Sequence, residues 1–319
     1  MLRGSSFAEK RVIDLMNARY VSFYFCFRKG TNGYDEDAAA LYNESLKEDA
    51  DFKAGLPPVV LYAPDGLKSL KSIPREVQFD KDKFHDALRD ALREHPAYDA
   101  PAPEEKKLLA AAEAAPRDAA AHYRAGEARE RAAAPAAGLY EKAIAAAPES
   151  EWAARAHLRL ATMARHARAW DDAEKRLESA EAVNAGDRFN FADDVAMERA
   201  HRQLADQKHA KALELLDAAI RASPASNRMG ELRFYAGVAN FFLAKRDWAH
   251  YHWWWVLENI PEDHHVLRCS VALTAEGNCF ANPELAGFAG AKEMTISDGA
   301  AARDVARSDY DRLKDKYAP

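Results

Sequence analysis

Small and apolar residues recur along the middle of the chain with one interior spacing. A small residue is followed four positions on by a bulky apolar one, three later by a second small or branched one, and five beyond that by a breaker. Four copies carry it: Ala136/Tyr140/Ala143/Pro148, Ala173/Leu177/Ala180/Ala185, Ala212/Leu216/Ala219/Pro224 and Ala249/Trp253/Val256/Pro261. Offsets of four and three put these side chains on one helix stripe, and proline, which has no N–H, ends the helix. The copies begin 37, 39 and 37 residues apart. A constant interior with a variable outer spacing predicts stacked helical hairpins, because only turns absorb extra residues. An irregular Ala-rich bundle, the alternative, has no reason to repeat the interior.

The flanks read differently. Val12, Ile13, Leu15 and Met16 predict the apolar side of a helix over residues 7–17. Residues 20–27, Y-V-S-F-Y-F-C-F, are too dense in aromatic and branched side chains for a surface helix and suit a buried strand. A turn at residues 30–33 leads to a second helix over 35–47. In G-L-P-P-V-V-L-Y-A-P-D-G, residues 55–66, prolines precede a strand at 59–62 and Pro-Asp-Gly turns it into a returning strand over 67–73. Asp80 then opens an amphipathic helix through Phe84, Leu88 and Leu92. Three prolines in residues 95–107 mark a linker, followed by a short helix over 104–115. After Pro261 the pattern predicts a helix over 264–280, an irregular Gly- and Pro-bearing segment at 282–290, and a last helix over 299–316 capped by Ser297 or Asp298. The organisation is a mixed α/β domain at 1–95, a linker at 96–107, helical repeats at 108–262 and capping helices at 263–319, mainly helical throughout.

The repeated stripe resembles the second helix of the tetratricopeptide repeat. That family also places a small residue twelve positions before the first alanine, and Ala161, Ala200 and Gly237 stand there in copies two to four. Arg124 falls there in the first copy, with Ala125 and Gly126 just past it, which predicts a shorter turn or a shifted register. Spacing above the family's usual ~34 residues is read as longer turns between hairpins. The resemblance implies that an all-α solenoid binds ligands on the concave face of its first helices. Carried onto this chain, the candidates are Arg155, Leu158 and Arg165, then Met197, His201 and Leu204, then Phe234, Val238 and Phe241. Such a groove, basic at one end and aromatic at the other, suits a protein or peptide with an acidic end and an apolar anchor. The same arginines also fit a solvated surface and the same phenylalanines a core between hairpins.

The order helix, strand, helix, proline-led strand, hairpin, helix over residues 1–95 resembles the thioredoxin-like fold from its first helix onward. That implies a cis peptide before Pro57, aligned on the Pro-Asp-Gly turn, or before Pro58 in a shorter hairpin. A diproline that merely starts an edge strand is the plain alternative. The family's Cys-x-x-Cys occurs nowhere in the chain, and the strand expected before it is missing too. Either another segment fills the sheet or residues upstream of Met1 supply both.

Net charge of −6 with interleaved Arg, Glu and Asp argues against a nucleic-acid partner. No apolar run reaches the ~18 residues of a membrane span, and the N-terminus lacks the layout of a signal peptide, so the expected place is the cytoplasm, or outside it if an upstream signal precedes Met1. Cys26, Cys269 and Cys279 have no metal-like spacing, and His250, His252, His264 and His265 lack completing carboxylates or thiols, so no metal or cofactor is expected. Trp253, Trp254 and Trp255 cannot share one stripe at ~100° per residue; at least one must meet the region after residue 264. The expected function is a non-catalytic scaffold that binds a protein or peptide. The alternative is a thiol-disulfide oxidoreductase whose Cys-x-x-Cys segment lies outside this chain.

Overall fold

The computed structural model describes residues 10–20, 36, 40, 59–63, 69–78, 80–263, 265–274 and 299–317. The expected strand at 20–27, helix at 35–47, Pro57 and Pro58, Cys26, Cys279 and the segment at 282–290 fall wholly or almost wholly outside these residues. Among the described residues the protein is mainly helical, with one two-stranded antiparallel sheet. It divides into two compact units, residues 2–102 and 103–319, within the expected linker.

In the first unit, α1 (Lys10–Arg19) precedes a hairpin of β1 (Val59–Tyr62) and β2 (Ser69–Ile73), then α2 (Arg75–Gln78) and α3 (Lys81–Glu94). Val59 pairs with Ile73 and Leu61 with Lys71, with an irregularity between Leu61 and Tyr62. Asp80 caps α3 by accepting from the Asp82 and Lys83 amides, each at 3.1 Å. The predicted stripe of α3 is buried, as are Val12 and Leu15 of α1, while Ile13 and Met16 are only half-buried. Tyr20 donates to the Leu88 carbonyl at 2.7 Å, and burial with Asp99 nearby pushes its phenol up.

The second unit opens with α4 (Pro103–Ala114) and continues as four helical hairpins: α5 (Ala119–Arg131) with α6 (Ala137–Ala146), α7 (Glu151–His166) with α8 (Trp170–Val183), α9 (Ala192–Ala205) with α10 (His209–Ala222), and α11 (Met229–Phe242) with α12 (Arg246–Asn259). The stripe read from sequence is the inward face of α6, α8, α10 and α12, with all twelve of its apolar residues buried. Pro148, Pro224 and Pro261 stand two residues beyond the ends of α6, α10 and α12. The excess over a minimal repeat sits between hairpins. The longest such connection, residues 184–191, holds the left-handed Gly186 at φ 70° and caps α9 through Asp187, which accepts from the Phe191 and Ala192 amides.

Each hairpin turns in the same way. Ala133, Arg168, Gln207 and Ala244 follow the first helices at φ 48–59°. In each case that residue's amide and the next return to carbonyls of the last turn; at the fourth, Ala244 N reaches Phe241 O at 3.0 Å and Lys245 N reaches Asn240 O at 2.9 Å. This is the Schellman geometry, here with no glycine at its left-handed position.

Across each hairpin the small residue of the first helix receives the bulky residue of the second. Ala161 shares its core cluster with Leu177, and Ala200 with Leu216, whereas glycines meet the larger rings, Gly126 on Tyr140 and Gly237 on Trp253. The first copy is therefore shifted by two residues, and Gly126 takes the place where Arg124 falls by counting. The deficit comes out of α6, which starts one residue after Ala136, whereas the other second helices begin three before their alanine. The connection of that hairpin is accordingly longer than the others, not shorter.

α13 (His265–Thr274) and α14 (Gly299–Tyr317) close the array. Trp253 is core, and Trp254 and Trp255 pack beside Tyr310 of α14, as the angular argument required.

Candidate functional site

Consecutive first helices are stitched by polar contacts. Glu130 on α5 accepts from Arg159 Nε of α7 at 3.0 Å and from the Tyr140 hydroxyl at 2.6 Å. Arg165 and Thr162 of α7 donate to the two oxygens of Glu198 on α9, at 2.6 and 3.1 Å. Arg228, at the start of α11, reaches back to Asp194 of α9 at 2.9 Å and gives Nε and Nη2 to Glu231 Oε2 at 2.8 and 2.6 Å. His201 Nε2 lies 3.3 Å from the other Glu231 oxygen, and Ser226 bonds Asp193. These contacts form one row over three junctions.

The row follows a register. The residue four after the small position of one copy meets the residue two before the small position of the next, Glu130 with Arg159 and Arg165 with Glu198; at the third junction Leu204 and Tyr235 hold these places, both in the apolar core. For Arg159, Arg165 and Glu231 burial opposes the charge, and their partners outweigh it. Glu130 raises Arg159, Glu198 raises Arg165, and Arg228 with His201 holds Glu231 well below the usual carboxylate range. Asp194 goes the other way: burial, with Asp193 beside it, outweighs Arg228 and raises its carboxyl. Burial and Arg165 keep His201 neutral against the pull of Glu231.

Of the nine expected groove residues, Leu158, Met197, Leu204, Phe234 and Val238 fill the interior between helices. These side chains are closed in by the helices packed around them, chiefly the second helices on either side, so the structure does not offer them to a ligand. Arg165 and His201 join the row, already partnered. Arg155 is ion-paired to Glu151 of its own helix at 2.7 Å, yet its side chain keeps 32% of its surface. Phe241 is half-buried, its ring 5.6 Å from Phe242. Glu130, Arg159, Asp194, Glu198, Arg228 and Glu231 were missed by sequence reasoning. The signal that would find them is opposite charge at matched offsets in successive copies.

An open cleft of about 690 Å³ lies where α5 and α7 begin, lined by Ala115–Ala120, Ala147, Ser150 and Trp152. Trp152 stacks obliquely on Tyr123 at 5.4 Å and lies under the exposed Arg124 guanidinium at 5.3 Å. Arg117 stands exposed at the rim, and Arg155 follows one helical turn after Glu151.

Among the described residues no group of His, Cys, Asp and Glu has the arrangement of a metal site, and no helix is long and apolar enough to cross a membrane. His250 and His265 pair separately, with Asp309 and Asp263. Cys269 is buried, and burial pushes its thiol well up, away from reactivity. Neither a protein-family model, a curated protein nor a solved structure matches the chain.

Proposed function

We propose that the protein is a non-catalytic interaction scaffold of the tetratricopeptide type, which holds an extended peptide at the start of its helical array. Four hairpins with one inward stripe, one turn geometry and a matched small-to-large register support the repeat reading. The observation that carries the binding reading is the cleft walled by Trp152. It is shallow and largely apolar, with exposed Arg117 on its lining, exposed Arg124 over the Trp152 ring and part-exposed Arg155 three residues after Trp152 on α7. An apolar anchor would enter beside Trp152, and acidic neighbours of that anchor would meet the arginines. The anchor thus moves from the far end of the groove, where Phe234 and Val238 are buried, to its beginning.

For the first unit, the antiparallel β1–β2 hairpin followed by helices supports a thioredoxin-like reading. The oxidoreductase alternative gains nothing from the described cysteine, which is buried.

The test is selection of random phage-displayed peptides against the purified chain. Selected peptides should share an apolar residue next to acidic ones, and should lose binding about tenfold in Arg124→Glu and in Trp152→Ala, with far-UV circular dichroism unchanged. Enrichment of no sequence, or affinity indifferent to both substitutions, refutes the proposal.

A further inference from the structure

The cleft at the start of α5 and α7 has counterparts further along the array. Counted from the small residue of each first helix, the place six before it in one copy stands against the place nine before it in the next. At the second junction these places hold Arg155 and Phe191, with the guanidinium 5.8 Å over the ring. At the third they hold Asp194 and Arg228, hydrogen-bonded at 2.9 Å. At the first they hold Ala120 and Trp152, which line the cleft together. A further place, eleven before the small residue, belongs in turn to Ser150, Phe189 and Ser226.

Two of the three junctions fill this position with side chains of their own. At the second, Arg155 Nη2 donates to the Phe189 carbonyl at 3.4 Å, the Phe189 ring packs on the Leu177 cluster, and the Arg188 guanidinium lies 4.5 Å over that ring. At the third, the Arg228–Asp194 pair and the bond from Ser226 to Asp193 take up the space. The first junction has alanine and serine where the second has arginine and phenylalanine, and its connection is residues 147–150 against 184–191. The opening of about 690 Å³ is what these shorter groups leave. Ser150 adds no free polar group to it, because its hydroxyl donates to the Ala147 carbonyl at 2.7 Å and accepts from the Ala153 amide at 3.1 Å.

A side chain entering from outside therefore meets the kind of surroundings that Phe189 meets one junction on: a neighbouring aromatic ring, here Trp152, and two guanidinium groups, here Arg117 and Arg124. Rings gain from such neighbours beyond the area they bury, through ring–ring and cation–π contact, whereas an aliphatic anchor gains the area alone. We propose that the anchor taken by this cleft is aromatic: the ligand is an extended peptide whose phenylalanine, tyrosine or tryptophan fills the place corresponding to Phe189, with acidic residues beside it reaching Arg117 and Arg124. The proposal rests on the peptide-binding reading of the cleft and narrows its anchor from any apolar residue to a ring.

Isothermal titration calorimetry of the full chain with acetyl-Gly-X-Glu-Glu-Gly-amide, where X is phenylalanine, leucine or alanine, tests it. The phenylalanine peptide should bind about fivefold or more tighter than the leucine one, and the alanine peptide should give no measurable heat. Ser150→Phe copies Phe189 and should weaken the phenylalanine peptide about tenfold or more. Because that change also removes the cap of α7, Ala120→Leu fills the cleft from its other wall with the cap intact and should act alike, far-UV circular dichroism being unchanged. Equal affinity for the phenylalanine and leucine peptides, lost in both variants, overturns the aromatic anchor and leaves the cleft as a peptide site. Affinity that ignores both substitutions, or no binding of any of the peptides, overturns the cleft reading and this proposal with it.

Discussion

Gly237→Ala should destabilise the array although it replaces glycine by the best helix former. A Cβ at this position would fall 2.6 Å from Trp253 Cδ1 and 2.7 Å from Cε2. The indole cannot step back. It is fully buried, and its Nε1 donates to the Phe234 carbonyl at 3.0 Å. Overpacking costs about 1–3 kcal/mol, and an indole N–H left buried without its acceptor costs about 1–3 kcal/mol more if the ring tilts away. Alanine returns about 1 kcal/mol of helix propensity, so with the ring tilted the net loss is about 1–5 kcal/mol. Trp253→Leu alone leaves a cavity and should cost about 2–4 kcal/mol. The double variant places alanine opposite leucine, the pairing that hairpins two and three already use. It should lie about 1–3 kcal/mol above the sum of the singles. Urea titrations followed by far-UV circular dichroism measure all three, since tryptophan fluorescence changes with the substitution itself. A Gly237→Ala variant that is more stable than the parent, or a strictly additive double, would refute the size-matching argument.

Glycine should act in the opposite sense at the hairpin turns: Arg168→Gly, Gln207→Gly and Ala244→Gly each relieve a left-handed residue and should raise stability by about 0.5–1 kcal/mol, while Lys211→Gly inside α10 should lower it by about 1 kcal/mol in the same urea assay. Glu198→Ala leaves Arg165 buried and unpaired and should cost about 3–5 kcal/mol, whereas Arg165→Leu with Glu198→Leu, copying the apolar Leu204–Tyr235 junction, should come close to the parent; a double variant as unstable as the single would show that the pair itself stabilises. Burial, helped by Arg233, holds His252 down to about 3 from an ordinary 6.5. The unfolded chain then takes up a proton that the native one refuses, so stability is full above pH 6.5 and falls below it, by about 1.4 kcal/mol per unit. His157, His201 and His209 are shifted the same way and steepen the fall, and His252→Leu should flatten the urea midpoint between pH 6.5 and 4 by about one such slope.

The second helices were legible because their stripe depends on helix geometry alone: any residue at the Ala212, Leu216 or Ala219 position of a helix that packs on one side must face inward. The glycines required one further step. Arg124 occupied the counted position in the first copy, and only the fit of Gly126 to Tyr140 reveals the two-residue shift. The inner face was not legible. Whether Met197 or Phe234 meets a ligand or a neighbouring helix depends on how successive hairpins stack, which no periodicity within one copy encodes. The ion pairs escaped for a related reason. Glu130 and Arg159 lie 29 residues apart and Arg165 and Glu198 33 apart, so each looks like a solvated charge until the copies are aligned on their small residues.

The same alignment shows why binding belongs at the beginning of the array. From Met197 onward the core is one continuous cluster that runs through α9 to α13 and includes Ala306 of α14, whereas the first and second hairpins have smaller separate clusters around Tyr140 and Leu177. In a stack of hairpins, stability is close to a sum of neighbour terms. The two early junctions combine small apolar clusters with ion pairs, whose attraction largely offsets their own desolvation. The third adds Leu204 and Tyr235 of the continuous apolar core to its own Arg228–Asp194 and His201–Glu231 contacts, and that apolar burial is a net gain. The chain is thus anchored at its C-terminal end and held least firmly around α5 and α6, beside the Trp152 cleft. A ligand there orders the segment with the least stability of its own, so its affinity depends on the Glu130–Arg159 junction, which no bound peptide need touch.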